Sequence, residues 1–267
     1  MAAATVLRAR PALGTLVEFR VEGLDGTAAA RAVDAAFAEV LTVHRLMSFH
    51  EPHSDLALLH RAPAGTAVRV NARTHEVLHW SLRIAAASHG CFDPTIAAAQ
   101  VAAGRLPQPA SACAPDPDGN WRDIELLGGE RVRLRRPLWI DLGGIAKGYA
   151  VDRAIDVLRA HGAAQACVNA GGDLRVFGPR VERVHVRDAG GGCAAVLEVA
   201  NGAVASSSGA DARSLTASVV AARCIVADAL TKVVLAANAA CGCILDEFGA
   251  SAGVGACGDW HLLGAAA

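Results

Sequence analysis

The spacing of apolar residues changes along the chain and predicts both strands and helices. Apolar and polar residues alternate over residues 13–22, with Val17, Phe19 and Val21 on one side, which is typical of a half-buried strand. Over residues 27–47 the apolar residues lie three and four positions apart, which predicts an amphipathic helix. The chain therefore begins with a strand followed by a helix.

The rest of the chain repeats this mixture. Further helices are predicted at residues 54–60, 74–88, 93–104, 145–160 and 224–238. Further strands are predicted at residues 68–70, 121–127, 131–134, 165–169, 174–177, 181–186, 194–199 and 215–221. Runs of antiparallel-type strands mixed with helices indicate an α+β fold or a layered α/β/α fold. The proline-rich residues 106–120 are interpreted as a surface loop within one domain.

Composition narrows the class of protein. Hydrophobic residues make up 53% of the 267 residues and charged residues 19%, which excludes a disordered chain. The net charge of -1 leaves no basic field for nucleic acid or an anionic membrane. No apolar run has the length of a signal peptide or a membrane span. The expectation is a cytoplasmic protein, or a periplasmic one if an export signal has been removed.

The eight cysteines show no CxxC spacing. Cys241 and Cys243 are the closest pair and give only weak support for a zinc site. The cysteines are therefore interpreted as buried free thiols of a protein from a reducing compartment.

The segment IDLGGIAKGYAVD, residues 140–152, combines a short predicted strand, a glycine pair and the start of a helix. Glycines at such a turn let a ligand approach the backbone closely, and the free amides of a helix start favour an anion. Lys147 adds a positive charge in the first turn, where the helix dipole disfavours it, and this indicates a negative ligand. Because neither GxxxxGK[ST] nor GxGxxG is present, the pattern predicts a phosphate or pyrophosphate site of another kind.

Four other segments accompany this one in a characteristic order. They are GT at 14–15, GCFDPT at 90–95, VNAGGDLRVFG at 168–178 and ADALTK at 227–232. With these segments, the chain from about residue 12 to 240 resembles the ApbE family of FAD:protein FMN transferases. The resemblance implies one α+β domain over residues 1–267, with α/β/α layers and a mostly antiparallel sheet.

The resemblance also implies an activity. Members of the family bind FAD and Mg²⁺, and transfer FMN through a phosphoester bond to a Thr or Ser hydroxyl of an acceptor protein, with release of AMP. Some members instead split FAD into FMN and AMP. FAD contains one pyrophosphate, so the predicted anion site agrees with this ligand.

The site residues follow from the matching positions. The resemblance implies FAD contacts for Leu13, His50, Cys91, Phe92, Asp93, Asp141 and Lys147. It implies magnesium ligands at Gly144, through its carbonyl oxygen, and at Asp228 and Thr231.

Several of these assignments have a simpler alternative. Lys147 and Asp228 also fit solvated helix positions, and Asp141 also fits a residue that caps the approach to a helix. Phe92 fits a core residue better than a stacking partner, and His50 equally fits a loop residue. Asn169, Gly171, Gly172 and Asp173 are interpreted as a tight turn after a buried strand, in which the glycines fit a purely structural role.

Two departures from the family pattern bear on activity. Lys232 stands where many members have a threonine metal ligand, so that either its ammonium lies at the metal position or it points away while Thr231 binds the metal. In the family, a histidine usually stands shortly before an Asp-Pro-Arg-Thr-Gly run; here this segment is shorter and has no histidine, and Asp211–Ser214 is interpreted as a remnant of the run. A catalytic residue is therefore left unassigned. A non-catalytic FAD-binding protein and an FAD pyrophosphatase stay open as alternatives to the transferase.

Overall fold

A computed structural model of the protein describes residues 5–110, 112–187, 192–209, 215–237, 241–256 and 259–263. The helices are α1 Gly26–Met47, α2 Asp55–Arg61, α3 Ala72–Ala87, α4 Ala97–Ala102, α5 Ala146–Ala160, α6 Cys224–Ala237 and α7 Gly242–Glu247. The strands are β1 Val6–Ala12, β2 Thr15–Glu22, β3 Ala67–Arg69, β4 Ile124–Leu127, β5 Arg131–Leu134, β6 Gln165–Ala170, β7 Asp173–Phe177, β8 Glu182–Arg187, β9 Cys193–Val199, β10 Ala203–Ser208, β11 Thr216–Ala221, β12 Ser251–Ala256 and β13 Asp259–Leu263. The predicted α+β class is confirmed.

The chain divides into two compact units. The large-sheet unit comprises Met1–Leu41 and Lys147–Ala267, and the small-sheet unit comprises Thr42–Ala146. The single domain expected over residues 1–267 stays a prediction.

The large-sheet unit is built on an antiparallel sheet with the strand order β1-β2-β6-β7-β10-β11-β12-β13. In β2, Val17, Phe19 and Val21 are each at most 1% exposed, whereas Glu18 on the other face is exposed. The predicted alternation is therefore confirmed, and it reflects burial of one sheet face.

The strand predicted at residues 13–22 is wrong at its first two residues. Ala12 pairs with Thr15, so Leu13 and Gly14 form the two-residue turn between β1 and β2, with φ of 55° and 72°. Positive φ at both central residues matches the twist of a hairpin. A leucine rarely adopts this conformation, and for that reason the local sequence did not indicate a turn.

Helix α6 packs against β7, β10, β11 and β12. Its first turn is completed by Asp152 of α5, whose buried carboxylate accepts hydrogen bonds from the amides of Cys224 (2.9 Å) and Ile225 (3.1 Å). These amides have no partner within the helix, so an acceptor beside them stabilises the helix start. Asp152 thereby positions α6 against α5.

The small-sheet unit contains α2, α3, α4 and a sheet with the strand order β3-β5-β4. Ser54 caps α2, as predicted, by accepting a hydrogen bond from the amide of Ala57 (3.2 Å). Helix α3 begins earlier than predicted because Asn71 caps it, accepting from the amide of Arg73 (3.0 Å). Residues 121–123 form a 3-10 turn rather than the start of the predicted strand.

Several elements were not predicted. They are β1, β10, α7, β12 and β13. The sequences of β10 (AVASSS) and β12 (SAGVGA) are rich in small residues with weak strand preference. Both strands have neighbours on either side in the large sheet, so pairing with distant segments stabilises them. In contrast, the short strand expected before Asp141 is absent, and residues 137–142 have no regular secondary structure.

None of the helices in the described ranges has both the length and the apolar character that crossing a membrane requires. The described cysteines are free thiols, as predicted, namely Cys91, Cys113, Cys167, Cys193, Cys224, Cys241 and Cys243. The predicted burial holds for Cys224 and Cys241 but is wrong for Cys91, Cys193 and Cys243, which are exposed. Cys257 lies outside the described residues.

Candidate functional site

Lys147 lies in the first turn of α5, and its ammonium forms an ion pair with the carboxylate of Asp173 at the start of β7. The Asp173 side chain is 1% exposed, whereas that of Lys147 is 32% exposed. The negative group beside Lys147 is therefore supplied by the protein itself. The exposed part of the lysine side chain remains open to a ligand.

A second buried carboxylate, Asp228 of α6, accepts a hydrogen bond from the amide of Gly148 at its Oδ2 (3.0 Å). This amide belongs to the first turn of α5, where a negative charge is favoured. A Cβ atom at Gly148 would lie 2.9 Å from the Cβ of Asp228 and would also overlap the carbonyl of Cys224. Glycine at this position therefore allows the starts of α5 and α6 to approach closely.

The ammonium of Lys232 lies against the other oxygen of Asp228, Oδ1, at 2.6 Å. It also donates to the backbone carbonyl of Asp228 (3.1 Å), to the hydroxyl of Thr231 (3.0 Å) and to the hydroxyl of Ser207 on β10 (3.0 Å). Of the two orientations left open by the sequence, the structure has the inward one. We call Lys147, Asp173, Asp228 and Lys232 the lysine–carboxylate cluster.

The charges in this cluster change the proton affinities of its members. Burial alone would lower the pKa of Lys147, but the carboxylates of Asp228 and Asp173 raise it above its ordinary value. Burial would raise the pKa of Asp228, but Lys232 and Lys147 hold it below its ordinary value. Burial raises the pKa of Asp173, and the charge of Asp228 raises it further against the opposing effect of Lys147. Lys147 and Asp228 are therefore charged at neutral pH.

In the small-sheet unit, Asp141 is held next to the loop that follows α3. The amide of Asp141 donates to the carbonyl of Pro94 (2.8 Å), and its Oδ1 accepts from the amide of Gly143 (2.9 Å). Asp93 turns the neighbouring loop by accepting from the amide (2.8 Å) and the hydroxyl (2.7 Å) of Thr95. The structure thus brings together two of the sequence-predicted FAD residues, Asp93 and Asp141.

The remaining predicted residues differ in exposure. Phe92 is 6% exposed, as expected for a core side chain, while Cys91 and His50 are exposed. Burial raises the pKa of Asp141, and the amide of Gly143 and the charge of His50 oppose this shift. His50 is accordingly close enough to Asp141 to interact with it electrostatically.

The segment before Asp141 is anchored by His60 of α2, a residue that the sequence did not single out. Nε2 of His60 accepts a hydrogen bond from the amide of Ile140 (2.8 Å). His60 is 4% exposed, and burial lowers its pKa from 6.5 to about 4. Nε2 also lies 3.2 Å from the carbonyl oxygen of Ile140. Burial keeps the imidazole neutral at pH 7, so Nε2 can accept the hydrogen bond from the Ile140 amide.

We expect the protein to lose stability as the pH falls from about 6.5 towards 4. The pKa of His60 is lower in the folded state than in the unfolded state, so its contribution is complete above pH 6.5 and is lost towards pH 4. A difference of this size corresponds to about 3 kcal/mol in the free energy of unfolding. Urea titrations from pH 4 to 7 measure this loss. The His60→Gln variant serves as the control, and an equal acid dependence in both proteins would contradict the assignment.

Asp173 of the cluster and Ser207 beside it carry interactions that the sequence did not predict. Asp173 follows the pair Gly171-Gly172, which predicts only a turn. Ser207 lies in a run of serines without any motif. Their partners, Lys147 and Lys232, lie 26 and 25 residues away in the sequence, so only the tertiary structure reveals these contacts.

The predicted metal residues are distributed over both units. Gly144 is a half-buried turn residue of the small-sheet unit, and Asp228 and Thr231 are fully buried in the large-sheet unit. Within the described ranges, no three His, Cys, Asp or Glu side chains are grouped so as to hold a metal ion. The segment Asp211–Ser214 lies outside the described residues.

Comparison with known proteins gives consistent results. The sequence model of the ApbE family matches residues 13–216. A protein from Treponema pallidum named FAD:protein FMN transferase is 29% identical over 194 residues, which is 64% of this chain and 51% of that protein. One of the same name from Rhodobacter capsulatus is 30% identical over 187 residues, or 66% of this chain and 36% of that protein. The chain thus spans about half or less of the length of these relatives.

The fold matches that of a solved structure. The apo form of the flavinyl transferase ApbE from Pseudomonas stutzeri superposes with a TM-score of 0.82 at 19% identity, covering 98% of this chain and 95% of that one. This similarity confirms the predicted fold type. The family model spans more than half of the sequence, and this match establishes that the chain belongs to the ApbE family.

Proposed function

We propose that this chain transfers FMN from FAD to a Thr or Ser hydroxyl of an acceptor protein and releases AMP. Family membership supports the reaction class, and the observation that carries the proposal is the lysine–carboxylate cluster at the start of α5. Lys147 is charged, partly exposed and held in place by a buried carboxylate. Such an ammonium is suited to bind a phosphate oxygen.

The proposed reaction exchanges one phosphate bond for another. The acceptor hydroxyl oxygen attacks the phosphorus on the FMN side of the pyrophosphate, and the bond from this phosphorus to the bridging oxygen breaks. The bridging oxygen leaves with AMP, and the hydroxyl proton passes to solvent or to a base. Negative charge grows on the pyrophosphate oxygens during this step, and Lys147 would stabilise it.

The other FAD contacts remain proposals that rest on the resemblance. In the large-sheet unit, Leu13 is half-buried at the β1–β2 turn. In the small-sheet unit, the proposed contacts are His50, Cys91, Phe92, Asp93 and Asp141. The cytoplasmic location likewise stays a prediction, with export to the periplasm as its alternative.

Magnesium at Gly144, Asp228 and Thr231 is the remaining prediction. Carboxylate, hydroxyl and carbonyl oxygens are ligands that Mg²⁺ takes. However, the ammonium of Lys232 lies within 3.0 Å of an oxygen of each of Asp228 and Thr231. Two cations cannot share these oxygens without strong repulsion. The arrangement therefore does not fit Mg²⁺, and no step of the proposed reaction passes through a metal ion.

The proposal is tested by incubating the purified protein with FAD and an acceptor domain that contains a flavinylation site. The expected result is flavin fluorescence on the acceptor after denaturing electrophoresis, with one AMP released per label. An acceptor domain whose target Thr or Ser is replaced by Ala is the control. Absence of both label and AMP, with Mg²⁺ and with EDTA, would refute the transferase.

FAD binding without transfer is the second candidate, and it is favoured by the position of Lys232 against Asp228. In that case FAD is recovered intact after long incubation. Release of free FMN and AMP without an acceptor would instead indicate a pyrophosphatase.

A further inference from the structure

The ammonium of Lys232 is surrounded by oxygens in the way that a bound cation is. Four oxygens lie 2.6–3.1 Å from Nζ, namely Oδ1 and the backbone carbonyl of Asp228 and the hydroxyls of Thr231 and Ser207. These distances are those of hydrogen bonds. The ammonium has three N–H groups and four acceptors, so one N–H group is shared between two acceptors.

The fold holds each of these oxygens in place. Asp228 and Lys232 are one helical turn apart on α6, in the order in which an acid followed by a lysine attracts best. The Thr231 hydroxyl donates to the Asp228 carbonyl (2.7 Å), which leaves its lone pairs for Lys232. Ser207 comes from β10, against which α6 packs. The oxygen cage therefore exists before any ligand binds.

The composition of the chain supports a specific need for lysine here. Of the 25 lysines and arginines, only Lys147 and Lys232 are lysines, and both belong to the lysine–carboxylate cluster. Arginine serves at every other basic position. A compact ammonium can sit among converging oxygens, whereas the planar guanidinium of arginine cannot replace it there.

We propose that the ammonium of Lys232 takes the place of a divalent cation, so that this chain binds FAD without Mg²⁺. The inference rests on the proposed function, because it concerns the same FAD site. The Lys232 side chain is 32% exposed, so a phosphate oxygen can approach its positive charge while Asp228 holds the ammonium in place. It supplies one positive charge where Mg²⁺ supplies two, and it does so at any concentration of free metal.

The first test follows Lys232 directly in the unaltered sequence. Protein labelled with ¹³C at the lysine ε carbon has two lysine resonances, because the chain has two lysines. The Lys232→Arg variant assigns them. Titration with MgCl₂ alone is expected to leave the Lys232 resonance unchanged up to millimolar concentrations. A saturable shift of this resonance would show that metal displaces the ammonium and would overturn the proposal.

The second test measures the affinity for FAD by calorimetry in EDTA and in MgCl₂. The wild-type dissociation constant is expected to be the same in both within about twofold, since a twofold change is small beside the effect of one charged hydrogen bond. In EDTA, Lys232→Met and Lys232→Thr are each expected to weaken binding by about ten- to hundredfold. The Lys232→Thr substitution frees the Asp228 carboxylate and adds a hydroxyl oxygen, and both can bind Mg²⁺. Mg²⁺ should therefore restore FAD binding more in Lys232→Thr than in Lys232→Met.

The outcomes separate this inference from the proposed function. FAD binding by the wild type that requires Mg²⁺ overturns the inference but leaves the transferase intact. If the wild type binds no FAD under either condition, the proposed function fails, and the Mg²⁺ titration of the labelled protein still decides whether Lys232 holds the cation position. Thermal unfolding of both variants shows whether weaker FAD binding reflects loss of the fold. If the variants are unfolded, the Mg²⁺ titration of the labelled wild-type protein tests the inference.

Discussion

Replacing Lys147 with methionine is expected to reduce FMN transfer by about 10²- to 10³-fold, the usual effect of removing one group that stabilises charge in a transition state. The ammonium of Lys147 is the charged donor at the start of α5, and its pKa is raised by Asp228 and Asp173. Methionine keeps an unbranched side chain as far as the ε carbon but lacks the charged ammonium. It also leaves the 1% exposed carboxylate of Asp173 without its ion-pair partner, which raises the pKa of Asp173 further.

The rate of acceptor labelling, divided by the folded fraction from circular dichroism, measures this effect. Arg153→Met is the matched control, because Arg153 lies on the same helix and its side chain is 33% exposed, close to the 32% of Lys147. Its ion pairs are with Glu39 and Asp156. Similar losses of transfer in both variants would contradict a specific role of Lys147 at the phosphate.

The second large effect is expected for Asp152→Ala, which should lower the free energy of unfolding by about 3–5 kcal/mol, as for loss of one partner of a buried ion pair. The Asp152 carboxylate is fully buried and forms ion pairs with Arg175 (3.0 Å) and Arg223 (3.4 Å). The same carboxylate also accepts hydrogen bonds from two backbone amides at the start of α6. The substitution therefore leaves the half-buried Arg175 and the helix start without their acceptor.

Urea unfolding followed by circular dichroism measures this loss. Asp156→Ala is the control on the same helix, because Asp156 is 43% exposed and contacts Arg175 at 3.8 Å. An exposed pair of this kind contributes at most about 1 kcal/mol. Because Asp228 and Lys232 lie on α6, Asp152→Ala should also weaken FAD binding under conditions in which the variant is folded. Equal stability of the two variants would refute the role given to Asp152.

The lysine–carboxylate cluster changes the interpretation of the glycine-rich segment. A lysine in the first turn of a helix indicated a negative ligand, and the structure places the buried Asp173 there instead. The amide of Gly148, expected to face a ligand, is taken by Asp228. The carboxylates set the position and charge of the lysine, and the phosphate is proposed to meet its exposed side.

The sequence by itself determined the fold class, most of the helices and the family. The periodic spacing of apolar residues was sufficient to predict α1 and β2, because each of these elements buries one continuous face. Local capping residues sufficed for α2, since Ser54 acts on the next turn of the chain. The ordered segments sufficed for the family because each is a short contiguous pattern.

Only the tertiary structure decided the strands of small residues and the partners of the charged groups. The strands β10 and β12 are stabilised by their neighbours in the sheet. The turn at Leu13 is stabilised by the pairing of β1 with β2. The orientation of Lys232 depends on Ser207, which is 25 residues away in the sequence. The ion pair of Lys147 depends on Asp173, which is 26 residues away. The positions of such charged groups depend on burial and on contacts between residues that are distant in the sequence. A pattern of neighbouring residues in the sequence does not contain this information.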